Sequence, residues 1–427
     1  MEIHKFTEKL NQKIGEPQAL SLIRTQGLKA LAELNWPTRK LEGWKYSPIH
    51  FLKKEFVPQV NTQENSNSLN INNLLSVQSS KSFYSIVIEN GKILSISPEL
   101  ISKLQIFTLR EALEKGFLDS SEFSKIENSL EALNVSLLDS GFYIKLNDHE
   151  KIEQPIHWLQ CYSATENNPL FQSRLTIEIG EYSSCTFIES HYHVSPSEIA
   201  WINTSTNLLL KDHSKLNFIQ WNETNSSLQH TSRTRVIVED CVVFHHLLGS
   251  LSNGWTRNEL SVSCHGINSE LNLHGLGLSI GSGIIDQQSK LIFHGESNKS
   301  EQIYKNIVLD NSKAIFSGQI SIKEQAQKTD SSQLHQTLLL SSQAEVDTKP
   351  QLEIYADDVK ATHGATVGQL DEDELFYIQS RGISLERARS MLCLAFLVDL
   401  CERISAPKTM HGFLKNRIEN YWKRVLE

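Results

Sequence analysis

The sequence has little of what marks most catalytic or metal-binding proteins. Its six cysteines, Cys161, Cys185, Cys241, Cys264, Cys393 and Cys401, never fall in a CxxC pair. That leaves no cysteine-rich metal motif and points to separate, reduced thiols. An excess of basic charge is missing too, since 41 Lys and Arg stand against 50 Asp and Glu. A nucleic-acid binder wants a basic face for phosphates, so none is expected here. The apolar run near the carboxyl end, Met391 to Val398, is far too short to span a membrane. The amino end shows no basic stretch followed by an apolar one, so no export signal is read and a cytoplasmic protein is expected. HExxH and GxSxG are absent, and Gly277 to Gly283 has glycines without a following Lys-Ser or Lys-Thr. No P-loop and no catalytic motif is therefore available.

What is present changes character along the chain. Ile3, Phe6, Leu10 and Ile14 recur at helical spacing, and a second helix is expected over Leu28 to Leu34, stopping before Pro37. Pro37 to Ser47 sets Trp44 and Tyr46 beside Gly43, either as a recognition surface or as a loop pinned by the two rings. The Asn/Gln/Ser-rich run 61–82 reads as a loop. Short strands at Ser85 to Ile88 and Lys92 to Leu94 precede helices at Leu109 to Lys115 and Ser120 to Leu133.

From about 150 to 350 short alternating runs replace the helical pattern. Six sites place a small polar residue four positions before Phe or Leu: Ser183–Phe187, Ser214–Phe218, Asp240–Phe244, Ser269–Leu273, Ser289–Phe293 and Ser312–Phe316. The gaps between them are 31, 26, 29, 20 and 23. Spacing of this kind suggests a solenoid whose stacked rungs align Phe and Leu in an interior column. Glycine is expected at sharp corners, as in the echoes His274-Gly275 and His294-Gly295. A β-sandwich is the competing architecture, because many short strands with turn signals suit it as well.

Histidines crowd this region: His191, His193, His213, His230, His245, His246, His265, His274, His294 and His335. Imidazole is a common metal ligand. Equivalent positions of His274 and His294 on two rungs favour a solvent-facing or stacking ladder instead.

The carboxyl-terminal region is the most distinctive. Pro350 cannot donate to a ladder and belongs at a strand start or edge. Asp371 and Glu374 are spaced as a capping box. A second helix near Ser384 shows Ala388, Met391, Leu392, Ala395 and Phe396 on one face, which either packs on its own domain or receives a partner. Pro407 marks a break before a last helix ending near Trp422.

Lys349-Pro350-Gln351-Leu352-Glu353-Ile354, His363-Gly364-Ala365-Thr366-Val367-Gly368, Ser380-Arg381-Gly382-Ile383 and Glu42-Gly43-Trp44-Lys45-Tyr46 together resemble the SufB/SufD family of iron–sulfur cluster assembly scaffolds. The likeness is close over about 312–400 and looser through the rest of the solenoid. It implies a mainly β fold, a right-handed parallel β-helix flanked by helical domains, divided as 1–140, 141–365 and 366–427. It also implies a non-catalytic subunit that pairs with a SufB paralogue through the β-helix edge. The carboxyl-terminal helices would take a SufC ATPase, so that this chain itself binds no nucleotide. By the same resemblance His363 would be the metal residue, holding a transient iron–sulfur cluster or iron shared with a partner subunit. Relatives often carry cysteine two positions earlier, where this chain has Ala361. Ligands from the partner are then required, with Glu353 and Asp358 as oxygen donors nearby in sequence. The other readings are an exported polysaccharide-active β-helix enzyme and a metal-free structural solenoid.

Overall fold

The computed structural model describes residues 3–11, 17–53, 56–59, 83–123, 125–163, 168–193, 199–403 and 408–426. Ile14 and the run 61–82 lie outside the described residues.

The amino-terminal third holds α1 (Ile3–Asn11), α2 (Gln18–Leu34), α3 (Leu109–Glu114) and α4 (Ser129–Ser136). Helix α2 is longer than the sequence suggested, and Gly27 lies inside it. A Cβ there would stand 2.5 Å from the Ser136 backbone nitrogen, so the glycine lets α2 and α4 cross closely. The single helix expected over Ser120 to Leu133 is split, because Asn128 caps α4 by accepting from the Glu131 N–H at 2.9 Å.

Short strands β1 (Val57–Pro58), β2 (Tyr84–Glu89), β3 (Lys92–Ile96), β4 (Leu104–Thr108) and β5 (Phe142–Leu146) begin two sheets. There follow β6 (Ile156–Tyr162), β7 (Pro169–Ile179), β8 (Ser184–His193), β9 (Ala200–Leu210), β10 (Lys215–Thr224), β11 (Leu228–Val238), β12 (Val243–Ser252) and β13 (Trp255–Cys264). The coil ends with β14 (Glu270–Ser279), β15 (Ile284–Phe293), β16 (Lys299–Val308), β17 (Lys313–Ile322), β18 (Asp330–Leu339), β19 (Glu345–Ile354) and β20 (Lys360–Gly368).

Two ten-stranded sheets face each other, yet this is no sandwich. From β7 on, odd strands pair only with odd and even only with even, each parallel to the strand two before it. The chain thus winds, laying one strand in each sheet per turn. Antiparallel partners appear only at the start, where β3 lies beside β2 and β4 beside β5.

Side chains alternate between the lumen and the outer faces. One flank of the lumen is an apolar column that includes Trp158, Phe187, Phe218, Phe244, Leu271, Leu273 and Phe293. Each such aromatic or aliphatic side chain contributes about 1.5–3 kcal/mol by leaving water. The other flank is polar and bonded across the sheets: Gln160 to Ser173, Thr206 to Glu189, Thr234 to Gln220, and Asn222 to Asn258. Burying such groups is tolerable only because they find partners.

The expected repeat register mixes the two sheets. Phe187 and Phe218 do pair, but Phe244 pairs with Leu216, while Phe293 and Phe316 belong to the odd strands. The short gap of 20 is a crossing from one sheet to the other, and the gap of 23 stays in the odd-strand sheet but out of register, since Phe316 pairs with Gln287. His274 and His294 are therefore not equivalent. The stack forms between His265 and His294, successive corner residues whose rings lie 4.5 Å apart at 5°.

Glycine makes one left-handed corner of the coil, at Gly281 with φ 60°, but most are made by other residues. Tyr182, His213, Cys241, Asn268, Ser297 and Lys328 occupy that region, with φ between 55° and 61°. Each donates its N–H to a carbonyl one turn on, as Tyr182 does to Asp212 and His213 to Asp240. That bond offsets the roughly 1–2 kcal/mol cost of the conformation. Gly295 serves close approach instead, since a Cβ would meet the Gly266 carbonyl oxygen at 2.1 Å.

The carboxyl-terminal helices α5 (Glu372–Ser380), α6 (Leu385–Glu402) and α7 (Lys408–Leu426) follow. No described helix is long and apolar enough to cross a membrane.

Candidate functional site at the open end of the coil

The last turn has no turn above it. Among the described residues, strand β19 pairs only with β17, and β20 only with β18. In β17 and β18 the lumen-facing Phe316, Ile320, Ile322, Gln333, His335 and Thr337 are buried. The residues in register with them one turn on are half-buried Thr348 and Leu352, then exposed Ile354, His363, Ala365 and Val367. Pro350 sits in β19, an edge strand, as its missing N–H requires.

His363 thus stands in the lumen-facing file of β20, in register with Gln333, at an exposed sheet edge. Ala361, in register with Ser331, packs against the apolar column and offers no ligand atom. Glu353 lies in the other sheet, where its Oε1 accepts from Gln319 at 2.7 Å. Asp358 belongs to the corner before β20, its carbonyl accepting from Lys328 and its N–H donating to Gln327. Among the described residues no group of three or more His, Cys, Asp or Glu side chains is placed to hold a metal ion. The donor set at this end is one accessible imidazole.

Several of the other histidines are buried in the coil. His191 faces the lumen with its Nε2 3.2 Å from Glu189 and its Nδ1 2.9 Å from the Tyr162 hydroxyl. Burial raises the Glu189 carboxyl, but bonds from His191, Gln220 and Thr206 outweigh it and hold it below the usual range. Burial pushes the imidazoles of His157 and His246 down to about 3 and that of His335 down to about 4. His274 lies 3.3 Å from Glu301, and His245 3.4 Å from Asn272.

Helices α6 and α7 cover the outer face of the even-strand sheet. Cys393, Leu397, Leu400 and Cys401 pack with Trp221, Leu247, Leu276 and Ile303. The face expected from the sequence is rotated: Ala388 is buried, but Met391 is 44% exposed. Ion pairs pin these helices, Lys305 to Asp399 at 2.7 Å and Arg417 to Glu223 at 3.0 Å. The Asp371 side chain caps α5, accepting from Asp373 and Glu374 N–H groups. Its Phe376 and Tyr377 remain 73% and 60% exposed, an aromatic pair beside the open turn that hydropathy did not single out.

The Glu42-to-Tyr46 motif braces the opposite face. Trp44 is buried against Trp255 and under Arg257, whereas Tyr46 is 36% exposed. Glu42 takes an ion pair from Lys349 of β19, tying the amino-terminal segment to the last turn.

Residues 162–396, more than half the chain, match the family described as "SUF system FeS cluster assembly, SufBD core domain". The chain belongs to the SufBD family. Among SufBD proteins it is 29% identical to the iron–sulfur cluster assembly protein SufD of Escherichia coli over 394 residues, covering 89% of this chain and 88% of that one. It is 26% identical to the chloroplastic protein ABCI7 of Arabidopsis thaliana over 90% of this chain and 82% of the relative. Bacillus subtilis SufD matches at 24% over 94% and 93%. The parallel coil and the expected family agree, and a scaffold of cluster assembly is the function this membership carries.

Proposed function

We propose that this chain is the SufD-type subunit of a cytoplasmic cluster assembly complex, joined through its open last turn to a SufB-type paralogue. The observation that carries this is the uncovered turn itself. Two unpaired parallel edges and a file of exposed lumen-register residues make a template for strand addition by another coil. His363 lies on that file and would meet the partner's ligands, contributing one imidazole to a transiently held iron or nascent cluster. The cluster is cargo here, and thiolates from the partner would complete its ligation.

The exposed Phe376 and Tyr377 on α5, with Met391 on α6, suit docking of a SufC-type ATPase. Movement of those helices would reach the coil through the Lys305–Asp399 and Arg417–Glu223 pairs.

The test is reconstitution. The full chain mixed with SufB-type and SufC-type subunits of the same organism should elute as one complex. Phe376→Ala with Tyr377→Ala should release the ATPase alone. His363→Ala should leave the complex intact and lower its iron and sulfide content several-fold. A His363→Ala complex with normal cluster yield would remove the ligand role, and failure of any complex to form would remove the whole reading.

A further inference from the structure

The polar flank of the lumen is not satisfied by protein groups in the last turns. Six atoms there are buried without a hydrogen-bond partner among the described residues: Gln287 Nε2, Gln302 Nε2, Asn306 Oδ1, Gln333 Oε1, His335 Nδ1 and Thr348 Oγ1. Gln287, Gln302, Asn306 and His335 are fully buried, and Gln333 is 2% exposed. Leaving each one bare would cost about 1–3 kcal/mol. Too many sit together for that to be left uncompensated.

Their chemistry selects what fills the space. The Asn306 Nδ2 lies 3.1 Å from His335 Nε2 and 3.1 Å from Gln287 Oε1. An amide N–H donating to Nε2 puts the imidazole proton on Nδ1, so that atom is an unmet donor. Gln302 Oε1 already accepts from Ser289 at 2.8 Å and from Gln333 at 3.4 Å. Its Nε2 and that of Gln287 are unmet donors as well. Asn306 Oδ1 and Gln333 Oε1 are unmet acceptors, while the Thr348 hydroxyl serves either way. A cation would want acceptors only, and an anion donors only. A mixture of the two fits water, which gives and takes.

The positions line up toward the open end. Gln302 is in register with Gln333, and Gln333 with His363. Tyr304 is likewise in register with His335, which stacks on Phe316 at 4.6 Å. The geometry points to a file of bound waters inside the last turns of the coil, reaching solvent beside His363. The file would link the His335 Nδ1 proton to bulk water and give His363 a hydrogen-bonded back side. It stands whether or not His363 holds metal.

An atomic-resolution crystal structure of the full chain tests it. Ordered waters should lie about 2.7–3.2 Å from most of the six atoms. A dry lumen with the amides turned to pair with one another would overturn the proposal, and so would a bound ion in their midst. Water oxygen-17 relaxation dispersion provides a second measurement in solution. Gln333→Leu, of similar volume, should remove part of the signal from long-lived waters while the circular dichroism spectrum is unchanged. An unchanged dispersion amplitude in a folded Gln333→Leu chain would count against the file.

Discussion

Arg257 sits over Trp44, its guanidinium carbon 3.9 Å from the ring centroid. The same guanidinium donates to Asp286 at 2.5 Å and to the Ser47 hydroxyl at 2.9 Å, and pairs with Glu259 at 2.8 Å. One arginine of β13 therefore clamps the amino-terminal segment onto the coil through a cation–π contact and charge pairing together.

Trp44→Ala should cost about 3–5 kcal/mol by opening a cavity against Trp255. Arg257→Met should cost a similar ~3–5 kcal/mol, because Asp286 is fully buried and would lose its counter-charge. Adding Asp286→Leu should recover much of the second loss. Urea denaturation of the three variants reads these values, and an Arg257→Met chain as stable as the parent would show that the clamp contributes little.

Gly249 faces Trp221 so closely that a Cβ would lie 2.3 Å from the indole ring. Gly249→Ala should therefore destabilise by about 1–3 kcal/mol through overpacking. Gly368 has nothing within 4 Å of such a Cβ, so Gly368→Ala should stay within about 0.5 kcal/mol. Thermal melts of the pair decide it, and equal midpoints would contradict the packing described.

Acid should weaken the fold well before carboxylates titrate. His157, His246 and His335 are held neutral, with folded values of about 3, 3 and 4 against an unfolded value of 6.5. Their native pKa values are depressed, so the unfolded chain binds more protons as pH falls. Stability is full above pH 6.5 and declines from there toward pH 4 and 3. At pH 5 each histidine favours the unfolded chain by about 2 kcal/mol relative to neutral pH. Denaturant midpoints at pH 7.5 and 5 should differ accordingly, and His246→Gln should shrink the difference.

Thiol reactivity should single out Cys241. Burial pushes Cys161, Cys185, Cys264, Cys393 and Cys401 up to about 12, and Cys241 alone of the six is not buried. An alkylating reagent at pH 8 should label one site quickly in the native chain. Mass spectrometry of Cys241→Ser should then find that fast phase gone. Rapid labelling of any buried thiol would mean that the coil opens locally.

The strands and the wound architecture were legible because turn residues recur beside alternating apolar runs. The in-and-out register was not. In β10, Phe218 faces the lumen, Ile219 and Trp221 lie under α6 and α7, and Gln220 points inward. Both faces are covered, so hydropathy no longer tells inside from outside. The corners misled for a related reason: Tyr182 and Lys328 hold left-handed φ through bonds to the next turn, which no local sequence rule carries. His363 could be named from its motif, but its accessibility is a property of the missing turn above it. The unmet amides of Gln302 and Gln333 read in the sequence like any solvent-facing glutamine.

Antiparallel strands blunt the beginning of the coil, and among the described residues no strand blunts its finish. Such a rod has a polarity, like a polymer chain with one end chemically terminated. Two rods that meet finish to finish consume both adhesive ends at once and leave none to propagate. Growth by this route stops at two, without any further device against fibres.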